Sequence, residues 1–363
     1  MPCRWRRKET RLAHEEPERP DASDSNDLLA AEDAAMRAEE GPTVMTRFGY
    51  VLSSEEWNPG DLVAQAVMAA DAGFESLGIS DHFHPWNDEQ GSSPFVWSVI
   101  GALSREVDLP VATHVTCPTI RIHPAIIAHA AATASLLLGG RFVLGVGSGE
   151  ALNEQVLGDR WPLADERLEM LEEAIEVMRA LWSGEVVTHH GHHYTVEHAR
   201  LYSKPDQPIP VYVSAFGPEA IDLAGRIGDG YVSTAPSSES VAAFNEAGGR
   251  GKPKQAGAKV CYGPDRDEAV KTAHRLWPTN GLAGQLSQDL RTPEHFMQAT
   301  QNVTVEQIGS NLPCGPDLQI HHDAIRAYVD AGFDEVLISQ IGPLQEEFFR
   351  FAAQELLPSL RDG

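Results

Sequence analysis

The stretch SDHFHPW, residues 80–86, sets a carboxylate, two imidazoles and an indole at the end of a short apolar run. An imidazole titrates near neutrality, so His82 can take or give a proton in a reaction run near pH 7. Asp81 points to the opposite side of a regular strand, so adjacency in sequence does not make it the partner of His82. The indole of Trp86 can wall a pocket and lend its N–H to an oxygen. Each residue also has a plainer reading, His82 as a hydrogen-bonded loop residue and Trp86 as core packing.

Further along, GVGSG (145–149) alternates glycines at a strand end and runs into Glu150. The spacing is not GxGxxG, and no acidic residue in a βαβ context follows about 20 residues on, as a dinucleotide fingerprint requires. Alternate glycines here admit close backbone approach, and the amides around Ser148 could hold a phosphate or a flat ring. Glu150 by itself reads as an N-cap or a solvated turn residue. THHGHHY (188–194) gathers four imidazoles around Gly191, and its alternation suggests a hairpin outside the fold rather than a metal site.

Chemistry at 80–86 and 145–150 needs elements that bring the two together. Eight apolar runs read as buried strands: 47–53, 75–80, 110–117, 142–149, 210–215, 230–234, 258–263 and 335–341. Helical patterns lie between them, over 61–72, 94–107, 124–138, 163–182, 218–227, 265–276 and 317–331. This alternation predicts an α/β fold, a closed (β/α)8 TIM barrel, with a doubly wound open sheet as the alternative. In a barrel, Asp81, His82, His114, Thr116, Glu150, Ser214, Phe216, Gly217 and Thr234 would meet at the carboxyl ends of the strands. Residues 278–312 show no strand and two short helical patterns, which predicts an insertion near the mouth.

Residues 1–44 are charged and lack periodic apolar positions, so a disordered amino-terminal extension is expected, with one barrel domain over 45–363. No apolar run follows Arg6 and Arg7, which removes a secretory or twin-arginine signal. No stretch approaches the roughly 18 apolar residues of a membrane span. A formal charge of −25 argues against a nucleic-acid partner. Cys3, Cys117, Cys261 and Cys314 have no CxxC spacing, which disfavours a disulfide framework and a structural zinc, and points to a reducing, cytoplasmic compartment.

Residues 47–358 resemble the bacterial luciferase-like superfamily, and within it the F420-dependent glucose-6-phosphate dehydrogenase-like subgroup. The matching stretches are SDHFHPW, GSSPFVWS, TCPTIRIHPAIIAHAAAT (116–133), RFVLGVGSGEALNE (141–154), ALWSGE, PVYVSAFGPEA and AGRIGDGYVST. The resemblance implies a barrel holding coenzyme F420, with FMN as the alternative cofactor. It implies hydride transfer between a substrate carbinol or hemiacetal carbon and the deazaflavin ring, and a homodimer. His82 matches the proposed general base, Glu150 the group that serves a proton at the ring, and Trp86 a wall near the reacting carbon. Glu55 matches a further acid of the pocket, although Glu56 is close enough to blur that match. Asp81, Gly147, Ser148, Gly149, Asn153, Ala215, Phe216 and Gly217 match cofactor-contacting positions. His114 and Val115 match a bulge behind the ring that often holds a non-proline cis peptide. Thr234, at the end of the sixth strand, and His84, at a variable position between base and wall, are expected at the substrate.

The chain departs from the subgroup at the substrate end. Ser237, Ser287 and Asn311 align with two lysines and an arginine that hold the phosphate of glucose 6-phosphate, and 278–290 has no Lys or Arg. A dianion without a cationic clamp loses its charge-assisted hydrogen bonds. The expected substrate is therefore an unphosphorylated sugar or alcohol, with reduction by reduced F420 as a possible direction.

Overall fold

The structure is a computed structural model and describes residues 45–362. The extension expected to be disordered, 1–44, lies outside the described residues, as does Cys3. Ten strands follow in chain order: β1 (Arg47–Leu52), β2 (Leu77–Ile79), β3 (Val111–Thr113), β4 (Phe142–Val146), β5 (Val187–His190), β6 (Thr195–Ala199), β7 (Val211–Ser214), β8 (Gly230–Ser233), β9 (Lys254–Val260) and β10 (Glu335–Gln340). All but β5 and β6 form one closed parallel barrel in the order β1-β10-β9-β8-β7-β4-β3-β2. Pairing of β1 with both β2 and β10 leaves no edge, which rules out the open sheet.

Strand alternation sorts the side chains between helices and barrel interior. Phe48, Tyr50 and Leu52 of β1 face outward, where Tyr50 packs on Phe74, Phe348 and Phe349 and its hydroxyl donates to Gln345 Oε1. That cluster docks the helix Gln345–Phe351 against the first strand and joins the two ends of the barrel sequence. On β9, Ala256 and Val260 are fully buried in the outer core, while Gln255, Gly257 and Lys259 turn inward. Gln255 Nε2 donates to Glu335 Oε2 at the barrel floor. Above it a Cβ on Gly257 would stand 2.7 Å from His114 Cε1, so that glycine makes room for the imidazole inside the barrel.

Two strands depart most from their expected bounds. The β3 ladder covers Val111–Thr113 and stops where the His114–Val115 peptide is cis, the bulge that the resemblance implied; Thr116 then bridges Val146. Strand β9 begins at Lys254 rather than 258, because its first turn inward is polar and glycine-bearing and breaks the apolar run. It ends at Val260, and Cys261 forms an isolated bridge with Cys314. These two cysteines, distant in sequence, are buried free thiols that bring the end of β9 beside the segment that follows the insertion.

The insertion holds a 3-10 turn, Pro278–Gly281, and three short helices, Leu286–Asp289, Pro293–Thr300 and Val305–Asn311, one more than the sequence patterns indicated. The four-histidine stretch is the β5–β6 hairpin, anchored by one carboxylate: Glu173 accepts from the backbone of His192, His193 and Tyr194 and pairs with His189 Nε2 at 3.0 Å. Among the described residues no group of three or more His, Cys, Asp or Glu side chains is arranged to hold a metal ion. None of the described helices is long and apolar enough to cross a membrane.

Candidate active site

His82 follows β2 at the carboxyl end of the barrel, and its ring is held on every side. Nε2 lies 3.5 Å from Glu55 Oε1. Nδ1 lies 3.1 Å from Asn153 Nδ2 and 3.3 Å from the carbonyl of His84, so it has an acceptor or a donor partner in either tautomer. Trp86 covers one face of the ring at 5.0 Å between centroids. Glu55 is 3% exposed, and its other oxygen accepts from Ser53 Oγ at 3.0 Å and Ser80 Oγ at 2.7 Å. Burial alone would raise that carboxyl, but His82 and the two hydroxyls outweigh it and keep Glu55 below its ordinary range. An ionised acceptor therefore faces Nε2 of His82.

Glu56, which sequence could not separate from Glu55, turns the other way. It accepts from Trp277 Nε1 at 2.6 Å and from the Gly342 amide at 2.9 Å. Burial pushes its carboxyl up to about 7 against those two hydrogen bonds. The native carboxyl then holds its proton more tightly than an unfolded one, whose pKa is about 4.5. Its stabilising contribution is complete below about pH 4.5 and is lost as pH rises to about 7. Replacing Glu56 with glutamine should therefore flatten the fall in melting temperature between pH 5 and pH 8. Equal falls in the two proteins would disprove the assignment.

Trp277 carries a second charge into the mouth. Lys259 Nζ lies 4.3 Å from the centre of its ring, and Phe296 of the insertion meets Trp86 edge-on at 5.1 Å. The insertion thus completes the aromatic wall that begins with Trp86. Burial lowers Lys259 from its ordinary value, partly offset by Glu55 and Glu56. His114 is driven down to about 4 by burial and by the Lys259 charge, so its imidazole is neutral at pH 7.

The glycine turn is joined to SDHFHPW through one side chain. Asn153 is 1% exposed; its Oδ1 accepts from the amides of Phe83 and His84, and its own amide N–H is accepted by the Glu150 carbonyl. His84 Nδ1 lies 3.0 Å from the Leu152 carbonyl. Asn153 and His84, expected as cofactor and substrate contacts, thus spend these polar atoms on fixing the loop that carries the base. Asp81 accepts one hydrogen bond at each oxygen, from Arg121 Nη2 at 2.8 Å and Thr116 Oγ1 at 2.8 Å. Arg121 reaches on to Glu154, donating its backbone N–H at 2.8 Å and its Nε at 3.4 Å. Burial pushes Glu154 up to about 7 although Arg121 pulls it down.

The glycines have separate reasons. On Gly145 a Cβ would strike the Thr113 carbonyl at 2.0 Å, and on Gly147 it would press Val115 at 3.0 Å. Gly149 has φ +79°, and a Cβ would stand 2.5 Å from Cys117 Sγ and 2.9 Å from Glu154 Cγ. Gly149→Ala should lower stability by about 2 kcal/mol through backbone strain and contact with Cys117, read as a shifted denaturation midpoint. An unchanged midpoint would remove the argument. Ser148 and Glu150 are half-buried at this turn, and the Glu150 carboxylate makes no hydrogen bond among the described residues. On the same rim, Ala215 is buried with its carbonyl accepting from Tyr231, Phe216 is 55% exposed, and Gly217 opens the helix Pro218–Ile227 with free space where a Cβ would be. Thr234 is exposed, and its carbonyl accepts from Tyr328.

Sequence reasoning missed Lys259, Trp277, Arg121 and Glu154. Arg121 and Glu154 stood inside the quoted stretches, and a lone basic residue between two apolar segments was the available signal. Lys259 lies inside the strand expected over 258–263, but the short run Ala258–Lys259–Val260 does not by itself say which side faces the barrel interior.

A family model described as luciferase-like monooxygenase matches residues 43–335. The F420-dependent glucose-6-phosphate dehydrogenase of Microbacterium testaceum (strain StLB037) is 36% identical over 332 residues, which cover 88% of this chain and 98% of that protein. The enzyme of the same name from Nakamurella multipartita is 35% identical over 328 residues, with 87% and 96% covered. A solved structure, an F420-dependent secondary alcohol dehydrogenase in complex with an F420-acetone adduct, superposes with a TM-score of 0.80 at 30% identity over 87% of this chain and 99% of that one. The tetrahydromethanopterin reductase of Methanopyrus kandleri, at 20% identity and a TM-score of 0.67, shares the fold. A closed parallel barrel, a histidine held beside a carboxylate at the carboxyl end of its second strand and these likenesses agree: the chain belongs to the luciferase-like monooxygenase family.

Proposed function

We propose that the protein is an F420-dependent oxidoreductase of the dehydrogenase or reductase type, acting between an alcohol or hemiacetal carbon and the deazaflavin ring. The observation that carries this reading is His82, fixed at Nδ1 and left with Nε2 toward an ionised Glu55 and the mouth. The rim fits a flat ring, because the glycines of 145–149 keep Cβ atoms away from the Val115 bulge and Glu150 has an unpaired carboxylate beside them. When bound, F420 supplies the hydride acceptor, and in its reduced form the donor. His82 Nε2 takes the hydroxyl proton while Nδ1–H rests on the His84 carbonyl, and the resulting imidazolium is paired with Glu55. Trp86, Trp277 and Phe296 keep water from the reacting carbon. Glu150 is placed to hold a proton at the ring.

The relatives named for glucose 6-phosphate do not bring that substrate to this chain. Ser237, where they have a cation, accepts from the Ser240 amide as the N-cap of the helix Ser238–Phe244. The preferred substrate is an unphosphorylated sugar or alcohol. The homodimer belongs to the same reading, and light scattering at twice the chain mass checks it.

Titrating the purified protein with F420 and with FMN, by fluorescence quenching, tests the cofactor. F420 should bind and FMN should not; tight FMN binding without an F420 response overturns the reading. Turnover of glucose 6-phosphate with F420 at a rate matching the best neutral sugar or alcohol overturns the substrate half.

A further inference from the structure

Lys259 is a cation at the mouth whose charge has no bonded partner among the described residues. Strand parity points it into the barrel above Gly257, beside Ser339 on β10. Its ammonium has the Trp277 ring on one side and makes no hydrogen bond or ion pair among the described residues. Three other groups stand near enough to act on it electrostatically, namely Glu55, Glu56 and His114. None of them is free to receive its protons. Both oxygens of Glu55 go to His82 and to the serines, and both oxygens of Glu56 go to Trp277 and Gly342. His114 is buried with Nε2 unbonded, and its neutral ring adds no negative charge.

A half-buried ammonium with no hydrogen-bond partner is partly desolvated, and an anionic oxygen would stabilise it. We propose that Lys259 anchors the substrate, and that it selects alcohols carrying a carboxylate near the reacting carbon, hydroxy acids or the matching oxo acids. This inference rests on the oxidoreductase reading of the mouth. One ammonium balances one carboxylate charge. A phosphate monoester brings nearly two charges and needs the clamp that Ser237, Ser287 and Asn311 cannot form. A neutral alcohol leaves the ammonium with no counter-charge. The carboxylate would lie on the Lys259 side of the mouth with the carbinol on the His82 side, and the aromatic wall between them would order the carbon chain.

Calorimetric titration with lactate against propane-1,2-diol, and gluconate against sorbitol, isolates the carboxylate, since each pair differs only in a carboxylate or a CH2OH. Each is run on the protein alone and on the protein saturated with F420, so a failure to bind F420 is scored separately from a failure to prefer acids. The acids should bind at least about tenfold more tightly than their neutral counterparts, the scale of a charge-assisted hydrogen bond. That preference should drop to within about threefold in Lys259→Met, which keeps the contact on Trp277, and should persist in Lys259→Arg. Equal binding of each pair in the native protein overturns the proposal. So does a preference that survives in Lys259→Met, or glucose 6-phosphate binding more tightly than gluconate. If Lys259→Met fails to fold, the native and Lys259→Arg titrations still decide it.

Discussion

Replacing His82 by alanine should cut turnover with F420 by roughly two to four orders of magnitude, the usual worth of a positioned general base, while F420 affinity stays within about threefold. The separation follows from what the ring touches. Its contacts are Glu55, Asn153, the His84 carbonyl and Trp86, and none of them belongs to the glycine turn that would carry the cofactor. Glu55→Gln should cost less, about tenfold to a hundredfold, because the base remains and only the pairing of its charged form is lost. Combining the two should cost no more than His82→Ala alone, since Glu55 acts on the proton through His82. Loss of F420 binding in His82→Ala would show that His82 also holds the cofactor, and a double variant slower than the single by the full product would place Glu55 on the substrate independently. Rapid-mixing measurement of the deazaflavin absorbance separates the chemical step from product release.

Much of this site was legible because it sits at strand ends, where a short apolar run stops and polar side chains begin. SDHFHPW and GVGSGEALNE announced themselves in that way, and the eight alternating units left a barrel as the economical closure. What sequence could not give was parity and partnership. Glu55 and Glu56 are neighbours of identical type, yet one meets the base and the other meets an indole more than 200 residues away. The resemblance marks Asp81 and Asn153 as cofactor contacts, and what the sequence does not show is that their side chains also hold Arg121, Thr116 and the His82 loop in place. The same alignment that marks a residue as belonging to a site does not say whether it faces the ligand or the residue behind it. Lys259 shows the reverse failure, since a charge inside an expected strand faces the barrel interior beside Trp277 and no residue pattern announced it.

Arg121→Met should be the most destabilising single change in the site, by about 3–5 kcal/mol at pH 8. Its guanidinium side chain is 7% exposed and bridges Asp81 and Glu154, each 1% exposed at the side chain. Removing it leaves two buried carboxylates with only Thr116 and the Arg121 backbone amide as donors. The loss should shrink as pH falls. Glu154 already titrates at about 7, and without the cation its carboxyl moves higher still, so a proton can neutralise it at pH 5.5. The native variant then binds more protons than its unfolded chain, and its stability falls with rising pH more steeply than that of the parent. Urea denaturation at pH 5.5 and pH 8 measures the difference; equal losses at the two values would show that Glu154 carries no unpaired charge in the variant. A triple variant, Arg121→Met with Asp81→Asn and Glu154→Gln, should recover part of the stability, because removing a whole buried charge cluster costs less than breaking it. Turnover should not recover with it. Asp81 immediately precedes the base and Glu154 immediately follows the asparagine that holds it, so the ion cluster keeps the two halves of the site in register, and a neutral replacement restores the fold without restoring that placement.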